Sequence, residues 1–242
     1  MRGFPDRGKE KRAVGYHIGN KLNLTHLNGA ISSGGNDLLF DNFLSIEQNR
    51  ETLTTFEDIK HETISPDDTF VIIGLTEPAR RCVWWEGQYS PTFRPYAEEF
   101  CDFKLPTEVN YYFSQEEIIY YNNIKNIILI YNYLKAKNYK FVILEGLKND
   151  FHLMDKFVSV ETPTMFNLLR LELKNIKESK EWIGECYREW IVSNSKNPMY
   201  ADDEKAILDY SEFIRLDKHP TEEGAEAFAD YLLKTYTDKF KI

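Results

Sequence analysis

The stretch Lys140-Phe-Val-Ile-Leu-Glu-Gly146 decides the fold class of this chain, together with the similar stretch Thr69-Phe-Val-Ile-Ile-Gly74. Both are short apolar runs that are rich in β-branched residues and stop at a glycine. Their hydrophobic residues are continuous and do not alternate with polar ones, which is typical of parallel strands covered on both faces. A third short run, Thr25 to Asn28, is predicted to be another strand of the sheet.

The segments around these runs have the periodicity of helices, as expected for a parallel α/β sheet. The predicted helices are Val14 to Leu24, Asp37 to about Lys60, Ser114 to Lys137, Thr164 to Trp190 (as one or two helices) and Thr221 to Lys239. Ser114-Gln-Glu-Glu117 has the form of a capping box, and Thr221 is the predicted N-cap of the last helix. The predicted fold class is α/β, a three-layer sandwich with a parallel sheet.

The chain has 242 residues and no linker rich in Pro, Gly or Ser, so residues 1–242 are predicted to form one domain. Two segments differ from the rest of this domain. Residues 1–13 form a basic N-terminal arm, and residues 77–112 form an insertion rich in aromatic residues that fits neither the helical nor the strand period well. A long insertion with so many aromatic residues is expected to be ordered and functional.

The overall charge excludes some classes of partner. The formal net charge is -9 and the sequence pI is about 5.2, so nucleic-acid binding is disfavoured. Cys82, Cys101 and Cys186 form no close pair, which favours a reducing compartment. No run approaches the roughly 18 apolar residues of a transmembrane helix, and no signal peptide is visible. We therefore expect a cytoplasmic protein, located in the host cytoplasm or the virion if the source is viral.

An acid and a histidine lie just before the last predicted helix, in the run Asp217-Lys-His219-Pro-Thr-Glu-Glu-Gly224. A carboxylate that orients an imidazole lets the imidazole take a proton from a nucleophile. The spacing places both side chains on one short loop. The loop is a candidate for general-base chemistry, and the alternative is a simple surface cap.

With the helix that follows, this loop resembles the end of the SGNH/GDSL hydrolase superfamily. In that family an Asp and a His precede the last helix, commonly as D-x-x-H-P, and Asp217 and His219 match that place. The form here is D-x-H-P, which is similar to phage-type members. The resemblance implies a flavodoxin-like SGNH hydrolase architecture with a serine nucleophile and no cofactor.

A second match is Asn28-Gly-Ala30-Ile-Ser-Ser33-Gly-Gly-Asn36, which is similar to the family's second block, a strand ending in N-x-A-x-x-G. The family's glycine donates a backbone N–H to the oxyanion and aligns with Ser33 here. The resemblance therefore implies that the backbone of Ser33 or Gly34 is an oxyanion donor.

The third block of the family usually reads G-x-N-D, and Gly74-Leu-Thr76-Glu77 stands in its place. Thr76 is the expected substitute for the family's asparagine as a weaker oxyanion donor. The nearby Arg80 and Arg81 are candidates to hold an anionic group by charge-assisted hydrogen bonds.

The family's first block, a strand ending in G-D-S with the nucleophilic serine, has no counterpart before Val14. The first strand is therefore predicted to be missing or replaced: the gene start lies upstream, the sheet is rebuilt, or a partner completes it. Ser32 and Ser33 are the candidate replacement nucleophiles, and the alternative is that they shape the turn before the next helix.

The aromatic insertion admits three interpretations for Trp84 and Trp85 with the adjacent arginines. They form a lid over an acyl or carbohydrate ester, a surface that binds another protein, or part of the core. No histidine or cysteine spacing indicates a metal site, and no phosphate-binding loop is present, so no metal or cofactor is expected.

Two functions from different classes follow. In the first, the chain is a degenerate SGNH hydrolase-like domain that serves as a binding or structural module, for example in a phage particle. In the second, it is a serine esterase for O-acyl esters of a carbohydrate or cell-surface polymer. His219 would then be the base, Asp217 its orienting carboxylate, and Ser32 or Ser33 the nucleophile.

Overall fold

The computed structural model of the protein describes residues 13–27, 35–48, 64–78, 81–85, 88–93, 106–149, 151, 155, 157, 165–194 and 221–241. Of residues 81–85 and 88–93 it describes only the course of the backbone. The basic arm, apart from residue 13, lies outside these ranges. So do Ser32, Ser33, Gly34, Arg80, Asp217 and His219.

A three-stranded parallel sheet lies at the centre of the described residues. Its strands are β1 (Phe70–Leu75), β4 (Lys140–Glu145) and β5 (Trp182–Cys186), in the order β1-β4-β5. The register pairs Phe70 with Lys140 and Leu75 with Glu145, and it pairs Ile143 with Trp182. The two strands predicted most directly from the sequence are confirmed, and so is their parallel pairing.

The central strand and the edge strand differ in burial. In β4 every residue after Lys140 is buried, as expected for a strand covered on both faces. In β1 buried residues alternate with half-buried ones. The apolar residues Phe70 and Ile72 of β1 therefore pack only partly against the helices on their face.

The prediction for residues 25–28 was wrong for the part that is described. Residues 24–27 form neither strand nor helix, and Asn28 lies outside the described ranges. The run follows helix α1 (Val14–Lys21) directly. The side chain of His26 packs against α1. It lies so close to Gly15 that a Cβ added to this glycine would be 3.1 Å from Nε2 of His26. Local helix contacts replace strand pairing here.

The third strand, β5, falls where one or two helices were predicted. Helix α5 (Met165–Lys177) ends before it, and helix α6 (Tyr187–Asn194) follows it without a break. The strand contains an exposed glycine, Gly184, between buried residues. Its apolar pattern is therefore too short and too interrupted to distinguish it from the ends of the helices on either side.

Helices cover both faces of the sheet, and each face has its own apolar cluster. Helix α2 (Leu38–Glu47), helix α4 (Glu116–Ala136) and α5 pack on one face, and α1, α6 and helix α7 (Glu222–Thr235) pack on the other. Successive residues of β4 contribute to opposite clusters: Ile143 lies in the first, and Val142 and Leu144 in the second. The α/β class with a parallel sheet is confirmed.

Several helix ends differ from the predictions. α2 ends at Glu47, well before Lys60, and residues 49–63 lie outside the described ranges. The predicted capping box at Ser114 is not formed, because the N-cap of α4 is Gln115 and the Ser114 hydroxyl donates to the carbonyl of Tyr111. The cap at Thr221 is confirmed, since its Oγ1 accepts the N–H of Gly224 at 3.0 Å.

The aromatic insertion contains regular structure that its sequence did not predict. Strands β2 (Arg81–Trp85) and β3 (Gln88–Phe93) form an antiparallel hairpin that is separate from the parallel sheet. Helix α3 (Thr107–Ser114) then leads directly into α4. A short 3-10 helix (Thr237–Phe240) follows α7. Among the described residues, no helix combines the length and the apolar character that crossing a membrane requires.

Candidate functional site

The carboxyl ends of the three parallel strands lie at one edge of the sheet, where open α/β folds bind their ligands. Leu75, Glu145 and Cys186 are the last residues of these strands. The chain after β4 turns across the end of β1, because the N–H groups of Gly146 and Leu147 both donate to the carbonyl of Leu75, at 2.8 and 3.1 Å. This carboxyl edge is the candidate functional site.

The side-chain amide of Asn36 forms hydrogen bonds with the backbone at the end of β1. The backbone N–H of Thr76 donates to Oδ1 of Asn36 at 2.8 Å, and Nδ2 of Asn36 donates to the carbonyl of Thr76 at 3.0 Å. The side chain of Asn36 thus makes the pair of hydrogen bonds that a neighbouring strand would make. Asn36 is only 2% exposed, so this pair is protected from water.

The amide of Asn36 begins a buried chain of polar contacts. Its Nδ2 also donates to Oδ1 of Asn123 in α4, and Nδ2 of Asn123 donates to Oδ1 of Asn149 at 3.2 Å. The backbone N–H of Asn149 donates in turn to the carboxylate of Glu145 at 2.9 Å. All four side chains are buried. The network therefore fixes α2, α4 and the loop after β4 around the strand ends.

Thr76, the predicted oxyanion donor, is placed at this edge by the structure. Its backbone N–H is engaged by Asn36, and its Oγ1 is buried without a hydrogen-bond partner among the described residues. A buried hydroxyl without an acceptor is unusual in proteins. The side chain of Asn36 therefore uses the backbone donor that a ligand at this position would otherwise meet.

The end of β5 contributes buried groups that are held in their protonated forms. Burial raises the pKa of the Cys186 thiol, and the backbone N–H groups of α6 oppose this rise only in part. Burial also raises the pKa of the adjacent Tyr187 hydroxyl. A thiol with a raised pKa is a poor nucleophile at neutral pH. Cys186 is therefore a core residue in this arrangement.

The last helix begins at the same edge of the sheet. At its far end, Nζ of Lys239 donates to the carbonyls of Lys180 and Trp182 at 2.8 and 2.6 Å, where β5 begins. Nearby, the ring of Phe240 lies 5.6 Å from that of Phe70, the first residue of β1. α7 therefore runs antiparallel to the strands, and Thr221 lies at their carboxyl ends.

The predicted site residues have different outcomes. Asp217 and His219 precede Thr221 in the chain, and Ser32, Ser33 and Gly34 precede Asn36, but all five lie outside the described residues. Asn36 and Thr221, which follow the two candidate loops in the chain, lie at the carboxyl edge. Arg81, Trp84 and Trp85 lie on β2, where Trp84 pairs with Tyr89 of β3, and their side chains are not described.

A cleft of about 480 Å³ opens where α3 meets α4. It is lined by Tyr112, Ser114, Gln115, Glu116, Glu117, Ile118 and Phe157. Because α4 ends where β4 begins, its first residues lie towards the carboxyl edge. The cleft is therefore a candidate for binding part of a ligand that reaches this edge.

The sequence did not predict the asparagine network or this cleft. The network joins Asn36, Asn123 and Asn149, which are far apart in the chain, and isolated asparagines carry no local pattern. The only signal was that Asn36 follows the glycine-rich turn. Within the described ranges, no group of three or more His, Cys, Asp or Glu side chains could hold a metal ion.

Comparison with known proteins found no family model, no curated protein and no solved structure that matches this chain.

Proposed function

We propose that this chain is a degenerate SGNH hydrolase-like domain that serves as a binding or structural module, with the carboxyl edge of the sheet as its ligand-binding region. The arrangement of α/β elements supports a relationship of this kind. Three parallel strands in sequential order have helices on both faces, and the last helix begins at the carboxyl edge. A flavodoxin-like SGNH architecture has such strands and such a final helix.

The observation that carries the proposal is the pairing of Asn36 with Thr76. An oxyanion hole needs donors that point at the developing charge and are not already engaged. The backbone N–H of Thr76 is 2.8 Å from Oδ1 of Asn36, and the amide group of Asn36 is itself fixed by Asn123. This arrangement favours a rigid, closed strand end over a reactive one.

The alternative function, a serine ester hydrolase, has one observation in its favour. Thr221, which follows Asp217 and His219 in the chain, caps α7 at the carboxyl edge where Thr76 and Glu145 lie. In that case His219 is the base, Asp217 orients it, and Ser32 or Ser33 attacks the ester carbonyl carbon and passes its proton to the imidazole. The imidazole gives that proton to the leaving alcohol, and water then releases the acyl group from the serine.

The rate of ester hydrolysis separates the two functions. We expect purified protein to hydrolyse para-nitrophenyl acetate and an O-acetylated oligosaccharide no faster than its His219→Ala variant. A rate that falls by about a hundredfold or more in His219→Ala, and equally in Ser32→Ala or Ser33→Ala, would establish the hydrolase. Asn36 is not substituted in this test, because its loss is expected to destabilise the fold.

A further inference from the structure

The exposed large hydrophobic side chains are distributed unevenly over the molecule. Six of them are exposed among the described residues, and all six lie on α3, α4 and α5: Tyr111, Tyr112, Leu129, Met165, Leu168 and Leu171. Their exposures range from 44% to 68%. Within the described ranges, none lies on α1, α6 or α7. Exposed apolar side chains that are confined to neighbouring helices mark a candidate interaction surface.

The three helices form one continuous layer. α3 runs into α4 at Gln115, and α4 and α5 pack side by side on the same face of the sheet. On α5, Leu168 and Leu171 are 63% and 58% exposed, while Phe166 and Leu173 are buried in the cluster below. α5 is therefore apolar on two sides. One side packs in the core of the protein, and the other is exposed.

Charges at the two ends of this layer have opposite signs. Glu108, Glu116 and Glu117 are exposed at the starts of α3 and α4, towards the carboxyl edge of the sheet. Exposed lysines occupy the other end, where α4 and α5 stop: Lys137, Lys174 and Lys177. Among these, Lys174 lies 3.8 Å from Glu178 of the same chain. The apolar side chains lie between the acidic and the basic end. A basic end is unusual on a chain whose formal net charge is -9.

We infer that the α3-α4-α5 layer is the interface of a homodimer, with a second copy of this chain as its occupant. The charges determine the orientation. A two-fold axis perpendicular to α4 and α5 makes the paired helices antiparallel, so the acidic end of each copy meets the basic end of the other. Leu168, Leu171 and Leu129 then lie near the middle of the interface, where apolar contacts contribute most.

The leucines at the middle of this interface do not lie at the ends of the strands. Its acidic end overlaps the cleft, which Tyr112, Glu116 and Glu117 also line. The inference goes beyond the proposed function, because a dimer is compatible with both a binding module and an esterase. Ester hydrolysis reports on the carboxyl edge, and molecular mass in solution reports on the helix layer. Either proposal can therefore fail while the other stands.

Sedimentation velocity or light scattering of the full chain tests the dimer. We expect the measured mass to reach twice 28.5 kDa as the protein concentration is raised to about 100 µM. The double variant Leu168→Asp/Leu171→Asp should be monomeric, because a dimer would bury its new charges. Ser193→Asp, which adds a charge to exposed α6 on the opposite layer, should remain dimeric.

Charge exchange tests the orientation independently of the apolar contacts. Glu117→Lys at the start of α4 and Lys177→Glu at the end of α5 should each weaken dimerisation by about threefold to tenfold, and the two together should restore it. Circular dichroism confirms that each variant is folded. The inference is overturned by a wild-type protein that stays monomeric over the whole concentration range. It is also overturned if the dimer survives the two leucine substitutions. A combined charge variant that dimerises more weakly than either single variant would overturn it as well.

Discussion

Asn36, which follows the candidate loop at residues 28–34 in the chain, binds the end of β1. Its amide bonds both backbone groups of Thr76 and the side chain of Asn123. A buried amide that satisfies several partners costs more to remove than an exposed one, because each partner is left without a hydrogen bond. The residue is therefore structurally important although no sequence pattern marks it.

Asn36→Ala should lower the free energy of unfolding by about 2 to 3 kcal/mol, because it leaves the N–H of Thr76 and Oδ1 of Asn123 unsatisfied. Chemical denaturation measures the loss. The matched control is Asn122→Ala, whose Nδ2 donates only to Ile118 within its own helix, and which should change stability by less than about 1 kcal/mol. Equal losses in the two variants would show that the network adds no stability.

His26 should make the protein sensitive to acid. Burial, followed by repulsion from His17, lowers its pKa from 6.5 to about 4. The folded state therefore binds its proton less readily than the unfolded state does. The contribution of His26 is fully present above pH 6.5 and is lost as the pH falls towards 4.

The free energy of unfolding should accordingly fall between about pH 6.5 and 4, and the fall should be shallower in His26→Asn. Urea denaturation at a series of pH values measures both slopes. Identical slopes in wild type and variant would mean that His26 titrates alike in the folded and unfolded states.

At the residue level, the sequence predicted the cap at Thr221 and the position of Thr76 at a strand end, because both depend on neighbours in the chain. It could not predict that Asn36, Asn123 and Asn149 meet, since contacts between distant residues depend on the packing of whole elements. The roles of Asp217, His219, Ser32 and Ser33 stay predictions, because they lie outside the described residues.

At the level of elements, two helices end in the same way, with an asparagine in the left-handed conformation. Asn23 after α1 and Asn138 after α4 have φ of 56° and 62°. In each case the next residue donates its N–H back to the helix, as in the bond from Tyr139 to the carbonyl of Leu134. Asparagine tolerates this conformation better than most residues other than glycine. The turn at Asn138 leads directly into β4.

Asn138→Ala should destabilise the protein by about 1 kcal/mol, because alanine is strained at a positive φ. Asn138→Gly should be neutral or slightly stabilising, since glycine adopts this conformation freely. The melting temperatures of the two variants measure the difference. Lys137→Ala, at an ordinary helical φ of -86°, is the control and should have little effect. Similar melting temperatures for the alanine and glycine variants at position 138 would contradict this account.

The sequence predicted β4 and α4 correctly, but it did not predict β5 or the end of α2 at Glu47. β4 has a short, continuous run of apolar residues, which is typical of a buried strand. α4 has a long apolar pattern, which is typical of a helix. β5 has five residues, one of them an exposed glycine, and is continuous with α6. Residues 25–27 include a single strongly apolar side chain, Leu27, and His26 lies against α1. Tertiary packing decides such cases.

At the level of the whole molecule, both helix layers contain a carboxylate that accepts from two tyrosines. Glu47 accepts from Tyr133 and from Tyr139, the latter at 3.0 Å. On the other face, Glu185 accepts from Tyr231 and Tyr236 at 2.7 and 3.1 Å. These contacts connect helices to one another and to the sheet on both sides.

The protein should therefore lose stability at alkaline pH. Burial and the bond to Glu47 raise the pKa of Tyr133 from 10.0 to about 12, and they raise that of Tyr139 as well. The folded state holds these protons more tightly than the unfolded state. Their contribution is complete below pH 10 and is lost as the pH rises through about 12.

The slope of unfolding free energy between about pH 10 and pH 12 tests this prediction. It should be shallower in Tyr133→Phe/Tyr139→Phe than in wild type. Tyr111→Phe removes a tyrosine that is 68% exposed and should leave the slope unchanged. If the double variant keeps the wild-type slope, the tyrosines do not couple folding to pH.

The central claim is that the carboxyl edge, closed by the pairing of Asn36 with Thr76, contains no reactive serine, and labelling of the folded protein with a fluorophosphonate probe tests this most directly. Intact mass should show unmodified protein, and His219→Ala should behave identically. Stoichiometric labelling that maps to Ser32 or Ser33 and disappears in His219→Ala would contradict the claim and establish a serine hydrolase.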